Sequence, residues 1–290
     1  MAERAYPEDP AYRNKTQYYY AFIERYEFGK KYTNGKTVLD IPCGTGWGTS
    51  FIDNAQEICG VDISSEAIQY ARTHFNGIFS EGSMQQIPFT DNIFDVALCF
   101  EGMEHISREA GIDFLNEIKR VVKNGGLIIG SVPVLDEGGY DTGNPYHIFE
   151  YPEDYLKIVL RENFEVIDYC KKTGGDGPIV YFVVKNQMKH KKILPASAFG
   201  NETDFQNEID RQLSRNPEGG SVVIIDTDPD EKMVKLLQRT PDPRVKIINF
   251  TITPRISRNQ ISKMEQTMEA LKRKITGCLN GIFKKIPEKP

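Results

Sequence analysis

A glycine-rich turn flanked by two acids constrains this chain more than any other feature. Val38-Leu39-Asp40 reads as the end of a buried strand, and Ile41-Pro42-Cys43-Gly44-Thr45-Gly46-Trp47-Gly48 follows at once. Glycines in such a turn remove Cβ atoms and let the backbone approach a ligand closely. A bare strand-to-helix turn without a ligand has the same look, because short glycine patterns are common. Asp62 weighs against that reading. It closes the next apolar run, Ile58-Cys59-Gly60-Val61, 22 residues after Asp40, where an acid can accept both hydroxyls of a ribose. Dinucleotide-binding turns read GxGxxG and place a pyrophosphate on a helix N-terminus. Here the spacing is GxGxG, and Asp40 stands four residues ahead of Gly44. An acid there repels a diphosphate and suits the ammonium of a methionine moiety. The turn therefore points to a nucleoside sulfonium rather than a dinucleotide.

Around the turn, residues 36–185 alternate short apolar runs with amphipathic stretches, the pattern of an α/β sheet. Helices are expected over 66–74, capped by Ser64 or Ser65, and over 108–122 and 152–161. Phe94-Asp95-Val96-Ala97-Leu98-Cys99-Phe100 is almost continuously apolar, as a central parallel strand should be. The helix over 108–122 should stop at Gly125-Gly126, where glycine can turn left-handed. A long loop, 134–150, follows the strand over 127–132. The last two strands, 164–169 and 179–184, are separated by a turn and should form an antiparallel hairpin.

Four segments are expected. Residues 1–35 carry an aromatic helix over 12–31 (Tyr18, Tyr19, Tyr20, Phe22, Tyr26, Phe28), read as a lid on the ligand. Residues 36–185 form the ligand-binding domain, 186–220 a polar linker, and 221–290 a small α/β appendage with helices over 230–239 and 257–283. The appendage is too small to bury much core alone, so an oligomer contact is one role open to it. The glycine turn is expected to open into a helix, and Trp47 to pack the first helix.

The net charge of −5 gives no general attraction to a polyanion, so a nucleic-acid partner is not expected. No window has the ~18 apolar residues of a membrane span, and the proline-broken start, Met1 to Pro10, does not read as a secretory signal. Five scattered cysteines without a CxxC pair fit a reducing cytoplasm and argue against a disulfide scaffold or a cysteine zinc site.

Four motifs in order now carry a resemblance. Val38 to Gly48, Gly60-Val61-Asp62-Ile63-Ser64, and Gly82-Ser83-Met84-Gln85-Gln86-Ile87-Pro88-Phe89 with Asp91 to Asp95 are similar to the first three motifs of class I S-adenosylmethionine-dependent methyltransferases. Lys123 to Ser131 resembles their post-catalytic strand. The resemblance spans about residues 10–185. It implies a Rossmann-like seven-stranded sheet of order 3-2-1-4-5-7-6 with the last strand antiparallel. It also implies S-adenosyl-L-methionine as cofactor, held by Asp40, Pro42, Gly44, Thr45, Gly46, Asp62, Ile63, Ser83, Met84, Phe100 and Glu101. Two positions depart from the pattern: Ser83 stands where aspartate is usual, and Pro42 where a small residue is usual.

The acceptor side is read from Glu101-Gly102-Met103-Glu104-His105 and from His147 in Asn144-Pro145-Tyr146-His147. The first segment follows the fourth strand, at the sheet edge where ligands bind in open α/β folds. His105 or His147, with Glu104 beside them, could serve as a base near neutral pH. A plain alternative is that Glu104 caps a helix and His105 is a satisfied histidine. The combined pattern resembles bacterial methyltransferases of polysaccharide and glycan biosynthesis, which implies a sugar or small-molecule hydroxyl as acceptor. It also resembles metal-dependent methyltransferases of small-RNA 3′-terminal riboses, in which Glu101, Glu104, His105 and His147 would hold a divalent ion. Against that stand the acidic charge and the lack of an evident RNA-binding stripe. A cofactor-binding module without catalysis is the third reading.

Overall fold

The computed structural model describes residues 4–135, 143–174, 177–187, 192–195, 202–215, 222–226 and 245–249. Its centre is a seven-stranded sheet of order β3-β2-β1-β4-β5-β7-β6. The strands are β1 (Thr37–Asp40), β2 (Glu57–Asp62), β3 (Ile78–Glu81), β4 (Phe94–Phe100), β5 (Val122–Pro133), β6 (Glu165–Gly174) and β7 (Gly177–Lys185). Strands β3, β2, β1, β4 and β5 run parallel. β7 lies antiparallel to both β5 and β6, because the chain between Gly174 and Gly177 is too short for a crossover. The order and the antiparallel β7 are those implied by the resemblance.

Apolar continuity sets the centre. Six of the seven residues of β4 are buried, with helices covering the sheet. The helix α4 (Arg108–Val121) is capped by Ser107, whose hydroxyl accepts from the Ala110 amide at 3.2 Å. It presses Phe114, Leu115 and Ile118 into the core, each contributing about 1.5–3 kcal/mol by burial. Gly125 has φ +79°, the left-handed conformation expected at this helix end. β5, however, begins at Val122, before the glycines, so the chain passes directly from helix to strand.

Three further expectations are corrected. The aromatic segment forms two helices, α1 (Pro10–Arg13) and α2 (Gln17–Lys30), because Lys15 turns left-handed at φ +50° and Thr16 is extended. No α-helix follows the glycine turn; one 3₁₀ turn, Thr49–Phe51, takes its place. Trp47 therefore packs on the N-terminal helices, stacked on Phe22 with ring centroids 4.6 Å apart and edge-on to Tyr12. The stretch 186–220, read as a linker, contains β8 (Lys192–Pro195) and α6 (Glu202–Arg215), the next helix after α5 (Glu153–Asn163). β8 joins β9 (Val222–Asp226) and β10 (Val245–Asn249) in a parallel three-stranded sheet of order β10-β9-β8. The helices expected over 230–239 and 257–283 lie outside the described residues. Among the described residues no helix is long and apolar enough to cross a membrane.

Candidate active site

A cavity of about 480 Å³ opens at the carboxyl edge of the sheet. Its walls come from the turns after β1, β2, β3 and β4, from α2, and from the 143–150 loop. Of the residues expected at the site, Pro42, Gly44, Thr45, Asp62, Ile63, Ser83, Met84, Phe100, Glu101, Glu104, His105 and His147 all line it. Asp40 and Gly46 do not line it.

Gly44 has φ +54°, and a Cβ added there would meet nothing within 4 Å, so the backbone faces open space. Gly46 has a different task. A Cβ there would lie 2.7 Å from Ala71 Cβ and 2.9 Å from the Phe79 ring, so this glycine lets α3 (Ser65–His74) and β3 close on the turn. Gly60 is pressed against the same ring, at 2.6 Å for an added Cβ. Gly48 meets Tyr26, whose ring would lie 1.9 Å from an added Cβ.

Asp62 is the hub of the β2 edge. Its carboxylate accepts from the Gly44 amide at 3.0 Å and the Ser64 amide at 2.9 Å. The Arg4 guanidinium sits 3.3 Å away, and the Ala5 carbonyl accepts from the Thr45 hydroxyl at 2.6 Å. The N-terminal segment thus runs across the cavity beside the turn. Ser83 uses its hydroxyl locally, accepting from the Gln85 amide at 3.1 Å.

Asp40 lies beneath the cavity and is wholly buried. Its Oδ2 accepts from the hydroxyls of Thr49 at 2.6 Å and Tyr26 at 3.3 Å, while Oδ1 has no hydrogen-bond partner. Burial pushes its pKa up to about 7, against the pull of those two hydroxyls. Tyr26 lines the cavity and stands between Asp40 and its interior.

On the β4 side, Glu101 adopts φ +49° and is held from two directions. It accepts from Ser131 Oγ at 2.6 Å and from Arg25 Nη2 at 3.1 Å. Arg25, Tyr12 and Tyr26 also line the cavity; Tyr26 was expected only as one aromatic of the lid helix, and Arg25 and Tyr12 were not expected at the site. A signal existed: Phe22, Arg25 and Tyr26 fall at i, i+3 and i+4, one face of α2.

Ligand-capable atoms of Glu104, His105 and His147 lie within 4.8 Å of one another. Glu101 is outside that group, so the expected set of four is not assembled, because Arg25 and Ser131 hold its carboxylate. Glu104 is 1% exposed, with Oε1 4.0 Å from His105 Nε2. Its backbone carbonyl accepts from the Ile148 and Phe149 amides at 2.8 and 3.1 Å, which ties the 143–150 loop to the end of β4. His105 Nδ1 lies 3.1 Å from the Tyr146 carbonyl. A carbonyl only accepts, so Nδ1 carries the proton, and the neutral ring keeps its lone pair on Nε2. The two histidine rings meet edge to face at 5.3 Å.

Residues 38–126 match a family model described as a methyltransferase domain. A Mycolicibacterium smegmatis protein named as a probable S-adenosylmethionine-dependent methyltransferase is 31% identical over 149 residues, 49% of this chain and 57% of that protein. An uncharacterised protein of Methanocaldococcus jannaschii is 32% identical over 190 residues, 64% of this chain and 76% of that one. The chain thus spans little more than half the length of the first of these relatives. Among solved structures, the [4+2]-cyclase SpnF superposes with a TM-score of 0.52 at 19% identity, over 64% of this chain and 88% of that one. That likeness concerns the fold alone, which hosts more than one chemistry. Taken with the glycine turn, the two acids and the sheet order, these matches show that the chain carries a methyltransferase domain with the class I, S-adenosylmethionine-dependent fold.

Proposed function

We propose that the protein transfers a methyl group from S-adenosyl-L-methionine to a hydroxyl of a small-molecule or glycan acceptor, with His105 taking the hydroxyl proton. The observation that carries this reading is the His105 ring, whose Nδ1 is held by Tyr146 while Nε2 is left for proton uptake in the cavity bordered by Gly44.

The residues present fit the cofactor. Gly44 offers bare backbone, Asp62 offers a carboxylate for ribose hydroxyls, and Asp40 Oδ1 is a buried acceptor that lacks a donor. A cavity of about 480 Å³ suits a ligand of this size. When bound, the cofactor supplies an electrophilic methyl group. The chain's own part is to hold the acceptor oxygen in line, exclude water and receive one proton. His105 Nε2 receives it, with Glu104 Oε1 4.0 Å away.

Release of S-adenosylhomocysteine across nucleotide sugars, oligosaccharides, small hydroxylated molecules and short RNAs tests the acceptor. Turnover with a hydroxyl acceptor in the presence of chelator is the expected result. A divalent ion on Glu104, His105 and His147 is the second reading, favoured by their proximity. Chelator-sensitive turnover confined to RNA 3′ ends would install it in place of the first.

Asp40 gives a separate expectation. An acid whose folded pKa is about 7, against an ordinary 3.8, favours the folded state while protonated. That contribution is complete below about pH 4 and is lost as pH rises through about 7. An ammonium ligand needs the ionised form, so cofactor affinity should fall as pH drops below about 7. Asp40→Asn keeps an acceptor for Thr49 and Tyr26. It should weaken cofactor binding about tenfold or more at pH 8, flatten the pH dependence, and raise the unliganded melting temperature relative to wild type at that pH. Calorimetric binding and thermal melts at pH 6 and 8 check both; unchanged affinity at pH 8 would remove Asp40 from cofactor binding.

A further inference from the structure

We infer that His147 is a positioning residue rather than the proton acceptor, and that Glu150 and Asn144 act through it to fix the tautomer of His105. This rests on His105 being the base, as proposed above.

The hydrogen bonds of the 143–150 loop have only one consistent direction. The Tyr146 amide can only donate, and it donates to Asn144 Oδ1 at 3.0 Å. That orients the amide, so Asn144 Nδ2 donates to His147 Nε2 at 3.1 Å. Nε2 of His147 therefore bears the lone pair, and Nδ1–H donates to Glu150 Oε1 at 2.5 Å. Both ring nitrogens are engaged, and the side chains of His147 and Glu150 are only 11% and 4% exposed. A lone pair already directed at an amide donor is poorly placed to take a substrate proton.

His105 differs. Its Nδ1 meets the carbonyl of Tyr146, the residue between Asn144 and His147 in this chain of bonds. Glu150 holds His147, His147 holds Asn144, and Asn144 Oδ1 holds the amide of Tyr146. The carbonyl of Tyr146, which dictates which nitrogen of His105 is basic, lies in the next peptide, whose His147 N–H donates to the Asn144 carbonyl at 3.2 Å. The Ile148 and Phe149 amides clamp the same loop to the Glu104 carbonyl, so the peptide cannot drift without breaking those bonds. The arrangement extends carboxylate orientation of a histidine by one loop: the carboxylate orients one imidazole, and the loop orients the second.

Nitrogen-15 NMR of the imidazole rings reads this directly in the full chain and needs no acceptor. In the wild type both histidines should be single Nδ1–H tautomers. Glu150→Ala should release His147 and turn His105 into a mixture of tautomers. With any accepted substrate, kcat should then fall about tenfold to a hundredfold while cofactor affinity stays within about twofold. Glu150→Gln, which can still accept from Nδ1–H, should restore most of both. Asn144→Ala offers a second break in the same chain should Glu150→Ala fail to fold, and the same change in His105 is expected. A His105 tautomer unaltered by both breaks would overturn the inference. So would a Glu150→Gln protein no better than the alanine variant. The base assignment fails separately: retained turnover in His105→Ala, with the tautomers as stated, refutes that assignment and leaves the orientation of the rings intact.

Discussion

Replacing His105 with alanine should lower kcat by about a hundredfold to ten-thousandfold, the range that a positioned general base supplies. Donor affinity should be nearly unchanged, because the groups expected to hold the donor, Gly44 and Asp62 on the cavity wall and Asp40 beneath it, belong to β1, β2 and the turn after β1, whereas His105 follows β4. The effect should appear in kcat more than in KM, since the lost interaction exists only as the proton moves. His105→Gln should not rescue, because an amide cannot take up a proton near neutral pH. Turnover within tenfold of wild type for either variant would end the base assignment. Single-turnover rates with saturating donor are the cleanest measurement, because product release then does not mask the step.

Gly48→Ala should cost about 1–3 kcal/mol of stability and lower the melting temperature by about 2–6 °C. Gly48 itself has φ −60°, so alanine brings no backbone strain. The cost is wholly steric. A methyl group would overlap the Tyr26 ring, which is nearly buried, packs edge-on to Phe100 and donates its hydroxyl to Asp40. Moving the ring would break that bond and leave a buried carboxylate with one fewer donor. Donor affinity should fall in the same variant, since Tyr26 forms part of the cavity wall. A melting temperature within about 1 °C of wild type would show that Tyr26 has room to yield.

The fold was legible where chemistry is local. The apolar run of β4, the serine caps and the turn between β6 and β7 each declare themselves over a few residues. The missing helix after the glycine turn was less visible. Ser50 donates its hydroxyl to the Trp47 carbonyl at 2.6 Å, offering the backbone an alternative to helix, and the segment stops after one 3₁₀ turn. The site was half legible. Asp62 reaches the cavity as expected, but the depth of Asp40 depends on Tyr26 and Thr49 closing over it, and no spacing encodes that. Glu101 was expected to hold the cofactor, and to stand beside the histidines only in the alternative metal reading. One of its partners, Arg25, is 76 residues away in sequence, so only the folded chain reveals that contact. Glu150 stood in view three residues after His147, yet nothing in its spacing shows a carboxylate turned back onto that ring.

The ring of Phe79 touches the space that side chains at Gly46 and Gly60 would need, from the turn on one side and from β2 on the other. Two glycines far apart in sequence are therefore answerable to one aromatic residue. A smaller residue at 79 would relieve only part of each clash. At 60, Cys43 Sγ still lies 2.9 Å from an added Cβ, and at 46, Ala71 Cβ lies at 2.7 Å on a backbone with φ +77°. Changes at 46 and 60 are therefore coupled to position 79 without being released by it alone.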